Sequence, residues 1–266
     1  MNNSKLGIRA IHQKTLTAAI LEAKNNGFEI LEVHLSSPQF LPQTYTASEL
    51  KKIKDFAFEN GVLLQVHDGI GHSLIEADEI LRKAEKARLK RLIGLSQQLG
   101  ARCLTLHPGK APSYYLGQDE KVLLNDNIYP EFYSELFDDS LRYLASLAPK
   151  DLYICVENTD NFNFRYQKIL QKYLKTGKLF LTWDLYKTLS FGTTIKVKSD
   201  QMHFFQRNIR FVRNIHISGK GHGSIKGHEK HYSKFVEFLK EKDLPFIIET
   251  MRLNQAIEIK KYIKSI

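Results

Sequence analysis

Short runs of apolar and β-branched residues alternate along this chain with longer stretches in which apolar residues recur at helical spacing. Such alternation is typical of βαβ units, in which parallel strands are connected by amphipathic helices. The runs predict eight strands, near residues 5–11, 28–35, 62–67, 102–107, 152–157, 179–184, 211–217 and 245–249.

The stretches between the strands carry helix signals of their own. Four apolar residues at helical spacing, followed by the helix-stopping Gly27, predict the first helix: Leu16, Ala19, Ile20 and Ala23. The segment Thr46-Ala47-Ser48-Glu49 has the pattern of a capping box and predicts the start of a second helix, which ends before Gly61. A longer helix is expected over residues 76–99, and a final one after residue 254.

Eight strand-helix repeats can close into a barrel or lie open as a doubly wound sheet. A doubly wound nucleotide-binding protein normally carries a glycine-rich turn after its first strand. Here the chain continues as His12-Gln13-Lys14-Thr15, and no Pro/Gly/Ser-rich linker divides it. We therefore predict an α/β fold in which residues 1–266 form one domain, a single (β/α)₈ TIM barrel of parallel strands.

Polar residues end six of the predicted strands. Strands three to eight carry, in order, His67, His107, Glu157, Asp184, His216 and Glu249. The C-terminal ends of barrel strands meet at one mouth, where active sites are built. Carboxylates gathered there would repel each other and resist desolvation, and a divalent cation relieves both costs. Because carboxylate oxygens and imidazole nitrogens suit Mn²⁺, Zn²⁺, Fe²⁺ or Co²⁺ better than Ca²⁺, we expect one or two such ions.

The overall charge of the chain is positive. Its 266 residues carry a formal net charge of +10, with a pI near 9.4. This positive net charge fits a nucleic-acid partner or an anionic substrate. It equally fits lysines spread over solvated helix faces, as at Lys83, Lys86 and Lys90. No block of consecutive like charges decides between these interpretations.

Other features of composition concern the compartment and the partners. No apolar run approaches the roughly 20 residues that cross a bilayer, so no membrane partner is expected. Residues 1–5 lack the layout of a signal peptide. Cys103 and Cys155 fall in apolar strand-like runs, where we expect buried, reduced thiols. These features favour a cytoplasmic location, and a homo-oligomer stays open.

The residues at the strand ends resemble the xylose isomerase-like barrel superfamily, which includes sugar isomerases and epimerases and the endonuclease IV group (AP endonuclease family 2). The resemblance covers nearly the whole chain and rests most specifically on Leu106-His107-Pro108-Gly109, Val156-Glu157-Asn158-Thr159, His216 and Glu249. It implies that one metal is held by the residues matching the four ligands of the epimerase branch: Glu157, Asp184, His216 and Glu249. In the endonuclease branch, residues matching His67, His107 and Glu157 hold one of three zinc ions, so a second ion is compatible with this sequence.

The third zinc is where the chain departs from the endonuclease pattern. That pattern has a histidine three residues after the aspartate of strand six, where this chain has Lys187. It also has Asp-x-His after strand seven, where the matching residues are Lys226-Gly227-His228. A protonated lysine cannot be a ligand, and two of them would repel a cation. A third metal is therefore not expected.

The resemblance implies an isomerase or epimerase of a small sugar or sugar-like hydroxy-carbonyl compound. The metal would hold the carbonyl and hydroxyl oxygens and stabilise an enediolate, while Glu157 and Glu249 exchange protons with the substrate carbon. His67 and His107 would bind a second metal or substrate oxygens. Near the mouth, Lys187, Lys220 and Lys226 would either receive a phosphate or carboxylate of the substrate or lie in solvated loops. The alternatives are a metal-dependent phosphodiesterase or AP endonuclease acting on DNA, and a barrel that binds without catalysis.

Two loops are expected near the mouth. Residues 219–227 are rich in glycine but lack the Gly-Lys-Ser/Thr ending of a P-loop. We interpret them as a mobile loop over the site, with His228 as an outer contact of the substrate and with His222 and His231 at the surface. Residues 108–129 form an insertion long enough to cover a substrate.

Overall fold

The computed structural model describes residues 4–69, 72–116, 121–159, 162–191 and 195–266. In this part of the chain, each predicted strand range contains an observed barrel strand, and four further short strands lie in the connections. The strands are β1 (Leu6–Ala10), β2 (Ile30–His34), β3 (Leu63–His67), β4 (Cys103–Leu106), β5 (Ser113–Leu116), β6 (Lys121–Leu124), β7 (Tyr153–Glu157), β8 (Phe180–Asp184), β9 (Leu189–Phe191), β10 (Ile195–Val197), β11 (Val212–Ile217) and β12 (Phe246–Ile248).

Eight of these strands form a closed barrel in which every pairing is parallel. Around the ring the order is β1, β2, β3, β4, β7, β8, β11 and β12, and β12 pairs again with β1. The expected (β/α)₈ barrel is confirmed, and the open doubly wound sheet is excluded. Because all eight strands run the same way, their C-terminal ends share one mouth.

Helices in the described part of the chain cover the outside of the barrel and its loops. They are α1 (Leu16–Asn25), α2 (Ala47–Glu59), α3 (Glu79–Gln98), α4 (Asn125–Ile128), α5 (Pro130–Leu147), α6 (Phe164–Leu174), α7 (Leu185–Thr188), α8 (Ser199–Arg207), α9 (Glu229–Lys240) and α10 (Leu253–Ser265). None of these described helices combines the length and the apolar character needed to cross a bilayer.

The helix ends follow local chemistry. The predicted capping box is present, since Thr46 accepts from the backbone of Glu49 while the Glu49 carboxylate accepts from the backbone of Thr46. Gly27 follows α1 with a φ of 66°, a left-handed conformation that glycine adopts without strain. The third helix starts at Glu79 rather than at residue 76, because the Asp78 side chain caps it by accepting from two backbone N–H groups.

The lower interior of the barrel is closed by small and polar side chains. The Thr105 and Thr182 hydroxyls lie 2.8 Å apart, and the sulfurs of Cys103 and Cys155 are 3.1 Å apart. Both cysteines are buried and free, as expected. At Gly7, a Cβ would collide with the Ile247 side chain, so the absence of a side chain lets that isoleucine fill the barrel. The polar residues of the mouth stand on this packed floor.

The long connection after β4 has structure of its own. Within the 108–129 insertion, β5 and β6 pair as an antiparallel hairpin, and α4 follows directly. At its base, Gly109 and Lys110 line the cavity at the barrel mouth. Covering of a substrate by this insertion stays a prediction.

Candidate metal centre

The six polar strand ends lie together at the mouth of the barrel. The side chain of His107 is 26% exposed, whereas those of His67, Glu157, His216 and Glu249 are at most 3% exposed. Asp184 is likewise buried. Water is thus excluded from most of a cluster of ionisable groups, and such groups demand charged or hydrogen-bonding partners.

Glu157 is the centre of this cluster. Its Oε1 atom lies 2.9 Å from Nδ1 of His216, and its Oε2 atom lies 2.8 Å from Nε2 of His107 and 3.2 Å from Nε2 of His67. Two groups of candidate ligand atoms include it, each with all atoms within 4.8 Å of one another: His67, His107 and Glu157, and Glu157, Asp184 and Glu249. The arrangement therefore offers Glu157 as a bridge between two ion positions.

Glu32 is a member of the cluster that sequence reasoning missed. It is fully buried on β2, and its two oxygens contact both buried histidines: Oε2 lies 3.0 Å from Nε2 of His216, and Oε1 lies 3.3 Å from Nδ1 of His67. A third group of candidate ligand atoms contains Glu32, His67, His216 and Glu249. The sequence analysis considered only residues at strand ends, and Glu32 lies in the middle of its strand. A carboxylate between the apolar Leu31 and Val33 was nevertheless a signal that could have identified it.

The contacts of Glu32 orient the His216 ring. Since Nε2 of His216 faces Glu32, Nδ1 faces Glu157 and lies 3.4 Å from Oε2 of Glu249. A carboxylate that holds the far nitrogen of a ligating histidine is a common supporting arrangement in metal sites. The near nitrogen of His216 is thereby directed at the carboxylates.

The histidines and carboxylates shift each other's pKa values strongly. Burial by itself would lower the pKa of His67 and of His216, but the surrounding carboxylates raise both well above the ordinary value. Burial would raise the pKa of Glu157 and of Glu249, but the histidines hold both well below the usual range. For Asp184, burial and the neighbouring charges of Glu157 and Glu249 raise the pKa well above its ordinary value. The carboxylates and the two histidines thus favour each other's charged forms.

Hydrogen bonds among these residues leave several buried atoms unsatisfied. Oε2 of Glu157, Oε1 of Glu32 and Nδ1 of His67 are buried and have no hydrogen-bond partner among the described residues, despite their close neighbours. Carboxylate oxygens and imidazole nitrogens that converge on one space without well-formed hydrogen bonds fit a shared cation. A mixed set of carboxylate and imidazole donors is suited to a divalent transition metal. The residues present therefore fit the expected ion.

Asp184 is held in place by its neighbour from the Glu-Asn-Thr segment. Asn158, fully buried after β7, accepts from the backbone N–H of Asp184 at 2.7 Å and donates to the backbone carbonyl of the same residue at 3.0 Å. The same amide nitrogen also lies 3.2 Å from Thr188 and from Gln201. Asn158 thus links the ends of β7 and β8 and sets the position of Asp184.

A cavity of about 700 Å³ opens above the cluster. Glu157, Asp184 and Glu249 form part of its wall. Residues that strand-end reasoning did not select also line it, among them Arg9 of β1, His34 of β2 and His72. Burial lowers the pKa of His34 to about 3, with His67 and Arg9 acting in the same direction, so the His34 ring is neutral.

The chain matches a known sequence family over most of its length. The family model described as Xylose isomerase-like TIM barrel matches residues 20–266. The chain belongs to this family. Comparison with curated proteins gives no match.

Solved structures share the architecture of this xylose isomerase-like barrel. A 3-keto-D-glucoside 4-epimerase from E. coli in its apo form has a TM-score of 0.70 at 12% identity, covering 99% of this chain and 100% of its own. A D-tagatose 3-epimerase-like protein also has a TM-score of 0.70, at 16% identity, covering 98% and 97%. The protein SacUVDE has a TM-score of 0.64 at 15% identity, covering 99% and 100%. At these identities the likeness shows the fold alone.

Lys187, Lys226 and His228, which match the positions of the third-zinc ligands of the endonuclease branch, lie in two different places. Lys187 lines the cavity of this xylose isomerase-like barrel, whereas Lys226 and His228 are exposed and are not among the described residues that line it. A contact between His228 and a substrate gains no support from this placement and stays a prediction.

His222 lies differently from the expectation. We expected it at the surface, but it is half-buried and lines the cavity. The reason is a tertiary hydrogen bond: the backbone carbonyl of His222 accepts from the N–H of Met251 at 3.1 Å. This bond ties the 219–227 loop to the chain after β12 and brings His222 over the mouth. Mobility of that loop stays a prediction.

Proposed function

We propose that this barrel is a divalent-metal-dependent isomerase or epimerase of a small sugar or sugar-like hydroxy-carbonyl compound. The observation that carries the proposal is the buried cluster around Glu157 at the floor of a cavity of about 700 Å³. That volume lies within the roughly 300–1,000 Å³ of small-molecule sites. Membership of the xylose isomerase-like family and the structural likeness to sugar epimerases are consistent with it.

Four residues are proposed to hold the ion: Glu157, Asp184, His216 and Glu249. Of these, three already gather their ligand atoms within 4.8 Å, and His216 directs Nδ1 at two of them. The ion is Mn²⁺, Zn²⁺, Fe²⁺ or Co²⁺, which a mixed oxygen and nitrogen donor set accepts. When bound, it supplies Lewis-acid stabilisation of the negative charge that develops on the substrate's carbonyl and hydroxyl oxygens.

The chain's own catalytic groups are proposed to be Glu157 and Glu249. They enter from β7 and β12, which are not neighbours in the barrel, so they approach a bound substrate from different sides. Because their pKa values are lowered together, both are anionic, and either can accept the proton on the substrate carbon. In isomerisation, the carboxylic acid formed by that transfer returns a proton to the neighbouring carbon. In epimerisation the proton returns on the opposite face, so the other carboxylate must take up a proton from solvent and donate it, while the first carboxylic acid releases its proton to solvent.

Hydrogen exchange from solvent tests this function directly. The protein, loaded in turn with each of the four metals, is incubated in D₂O with D-tagatose, D-fructose, D-psicose or D-fructose 6-phosphate. We expect deuterium at the carbon beside the carbonyl, detected by NMR or mass spectrometry, and we expect EDTA to stop its incorporation. Glu249→Gln should abolish the exchange because it removes a base, whereas Glu29→Gln, an exposed glutamate at the other end of the barrel, should leave it intact.

Two results would contradict the proposal. Absence of exchange with every metal and every sugar, in a protein that retains its ion, would remove the isomerase assignment for these substrates. Failure to retain any metal, with no response to added Mn²⁺ or Zn²⁺, would favour a barrel that binds without catalysis.

The second candidate is a metal-dependent phosphodiesterase of the endonuclease IV kind. The observation in its favour is the gathering of His67 and His107 on Glu157, which offers a second ion position beside the first. Two adjacent metals suffice for in-line displacement at phosphorus. Metal-dependent nicking of a duplex with an abasic site, together with salt-sensitive binding of that duplex, would support this candidate over the isomerase.

A further inference from the structure

Arg9 is a buried arginine in the cavity wall. It lies on β1 next to Glu32 of β2 in the barrel register, and it is only 6% exposed. Its guanidinium faces the same cavity as Glu157 and Glu249. Arginine at this depth normally has its donors fully paired, because an unpaired buried charge is costly.

The donors of Arg9 are poorly satisfied. A guanidinium carries five N–H donors. Nη1 lies 3.5 Å from Oε1 of Glu249, which is the outer limit of a hydrogen bond, and Nη2 lies 3.8 Å from the sulfur of Met251, a weak acceptor. Nε is buried and has no partner among the described residues. Within the part of the chain that the structure describes, the fork of this arginine therefore lacks a strong acceptor.

Glu249 does not satisfy the hydrogen-bond donors of the Arg9 guanidinium. Its Oε1 atom also lies 3.3 Å from Nδ1 of His67, and its Oε2 atom lies 3.4 Å from Nδ1 of His216. A carboxylate shared among these groups, and proposed to hold the ion, cannot present both oxygens to a guanidinium. Glu249 thus balances the charge of Arg9 without occupying its fork.

Further basic residues lie around the same cavity. Lys110 and Lys187 line it together with Arg9, and the half-buried His222 adds an imidazole. Carboxylates form the floor of the cavity, whereas these basic residues give part of its wall a positive charge. Because the dielectric constant is low within a cavity, a cation there attracts an anion more strongly than an exposed lysine does.

We infer that Arg9 binds an anionic group of the substrate, through two adjacent oxygens that accept from its guanidinium fork. The substrate class is therefore a sugar acid or a sugar phosphate rather than a neutral sugar. The shared chemistry is a carboxylate or phosphate oxyanion, which arginine recognises in a bidentate manner. This inference rests on the proposed function, in which the carbonyl at the other end of the substrate lies at the ion.

Binding of matched probes tests the inference without requiring turnover. Isothermal titration calorimetry on the metal-loaded protein compares D-fructose with D-gluconate and with D-fructose 6-phosphate, which offer a carboxylate and a phosphate. We expect at least one anionic probe to bind at least about tenfold more tightly than D-fructose, since its oxygens fill the fork. The probe that is preferred identifies the group as carboxylate or phosphate.

Variants separate anion recognition from structural support. Arg9→Gln should weaken the preferred anionic probe by about ten- to a hundredfold and leave D-fructose nearly unchanged, while Arg9→Lys should retain part of the preference. Arg102→Gln removes the same charge at an exposed position beside the opposite end of the barrel and should change neither affinity. Circular dichroism and metal content verify that each variant is folded and loaded.

Two outcomes would overturn the inference. Equal affinity of the wild-type protein for all three probes would do so even if Arg9→Gln failed to fold. Equal losses for neutral and anionic probes in Arg9→Gln would assign Arg9 to support of Glu249 alone. Failure of the proposed function appears differently, as absence of deuterium exchange with D-fructose 6-phosphate as well as with the neutral sugars, in a protein whose Arg9-dependent anion preference is intact.

Discussion

At the scale of single residues, the mouth of the barrel contains two carboxylates with different tasks. Glu157 contacts three histidines and faces the cavity, whereas Glu32 contacts two of those histidines from beneath. Under the proposed assignment, Glu157 is a ligand of the ion and Glu32 is a positioning residue for His67 and His216. Supporting partners of this kind typically change metal affinity by about 10- to 100-fold when removed.

Conservative substitutions separate these tasks. We expect Glu157→Gln to lower the affinity for Mn²⁺ by more than about 100-fold, and Glu32→Gln by about 10- to 100-fold, because a neutral amide still holds the rings but orients them less firmly. The readout is the fluorescence of Trp183, the only tryptophan of the chain and the residue before Asp184. Glu29→Gln is the matched control, since Glu29 is exposed. Equal losses in the Glu157 and Glu32 variants would contradict this division.

Glu85 of α3 makes stability depend on pH. Burial raises the pKa of Glu85 to about 7, although Arg88 opposes the shift. The folded protein therefore binds a proton that the unfolded chain, with an ordinary pKa of 4.5, releases earlier. Between these values the free energy of unfolding should fall as pH rises, because the carboxylate must ionise while it is buried.

Urea unfolding at a series of pH values measures this effect. Glu85→Gln should match the wild-type protein near pH 4.5 and exceed its stability above about pH 7. Glu79→Gln, which alters a mostly exposed carboxylate of the same helix, should leave the pH profile unchanged. If the wild-type and Glu85→Gln profiles were parallel, Glu85 would not be the group responsible.

At the scale of elements, the junction between β7 and β8 depends on one amide. Asn158 bonds both the N–H and the carbonyl of Asp184 and reaches Thr188 of α7 and Gln201 of α8. Three secondary-structure elements thus meet on one buried side chain. The position of Asp184 follows from this junction, so stability and metal binding are coupled here.

Replacement of this amide has two measurable effects. Asn158→Ala should lower the free energy of unfolding by about 2–3 kcal/mol, because buried backbone groups lose their partners. It should also lower Mn²⁺ affinity by about tenfold or more, since Asp184 loses its support. Asn25→Ala, at the exposed end of α1, should change stability by less than about 0.5 kcal/mol. Unaltered metal affinity in Asn158→Ala would contradict the coupling.

At the scale of the whole molecule, the proposed metal centre joins strands from around the barrel. The proposed ligands come from β7, β8, β11 and the end of β12, and Glu32 adds β2. Strands this far apart in sequence are brought together only by the fold, so the ion binds the folded chain in preference to the unfolded one. Binding therefore stabilises the barrel as a whole.

Thermal unfolding with and without metal measures this linkage. At a free Mn²⁺ concentration 100 times its dissociation constant, we expect the free energy of unfolding to rise by about 2.7 kcal/mol. EDTA should reverse the gain, and Glu157→Gln should show none of it at the same concentration. A midpoint that does not respond to Mn²⁺, Zn²⁺, Fe²⁺ or Co²⁺ would contradict the metal centre.

The eight barrel strands, four of the helices (α1, α2, α3 and α10) and the six polar residues that end the strands could be predicted from the amino-acid sequence alone. These features are local: a strand shows in its apolar run, the capping box of α2 shows in adjacent residues, and parallel strands place their C-terminal ends together. His67, His107, Glu157 and Asp184 could therefore be assigned to one mouth before any contact was known.

The groups that meet inside that mouth could be identified only from the tertiary structure. Glu32 and Arg9 are far from the other site residues in sequence and lie within strands, so no local pattern distinguished them from paired barrel charges. His222 reached the cavity through a hydrogen bond to Met251, which no spacing predicts. The physical reason is that local propensity acts over a few residues, whereas the charge balance of a buried site depends on every side chain that barrel closure brings within a few ångströms of it.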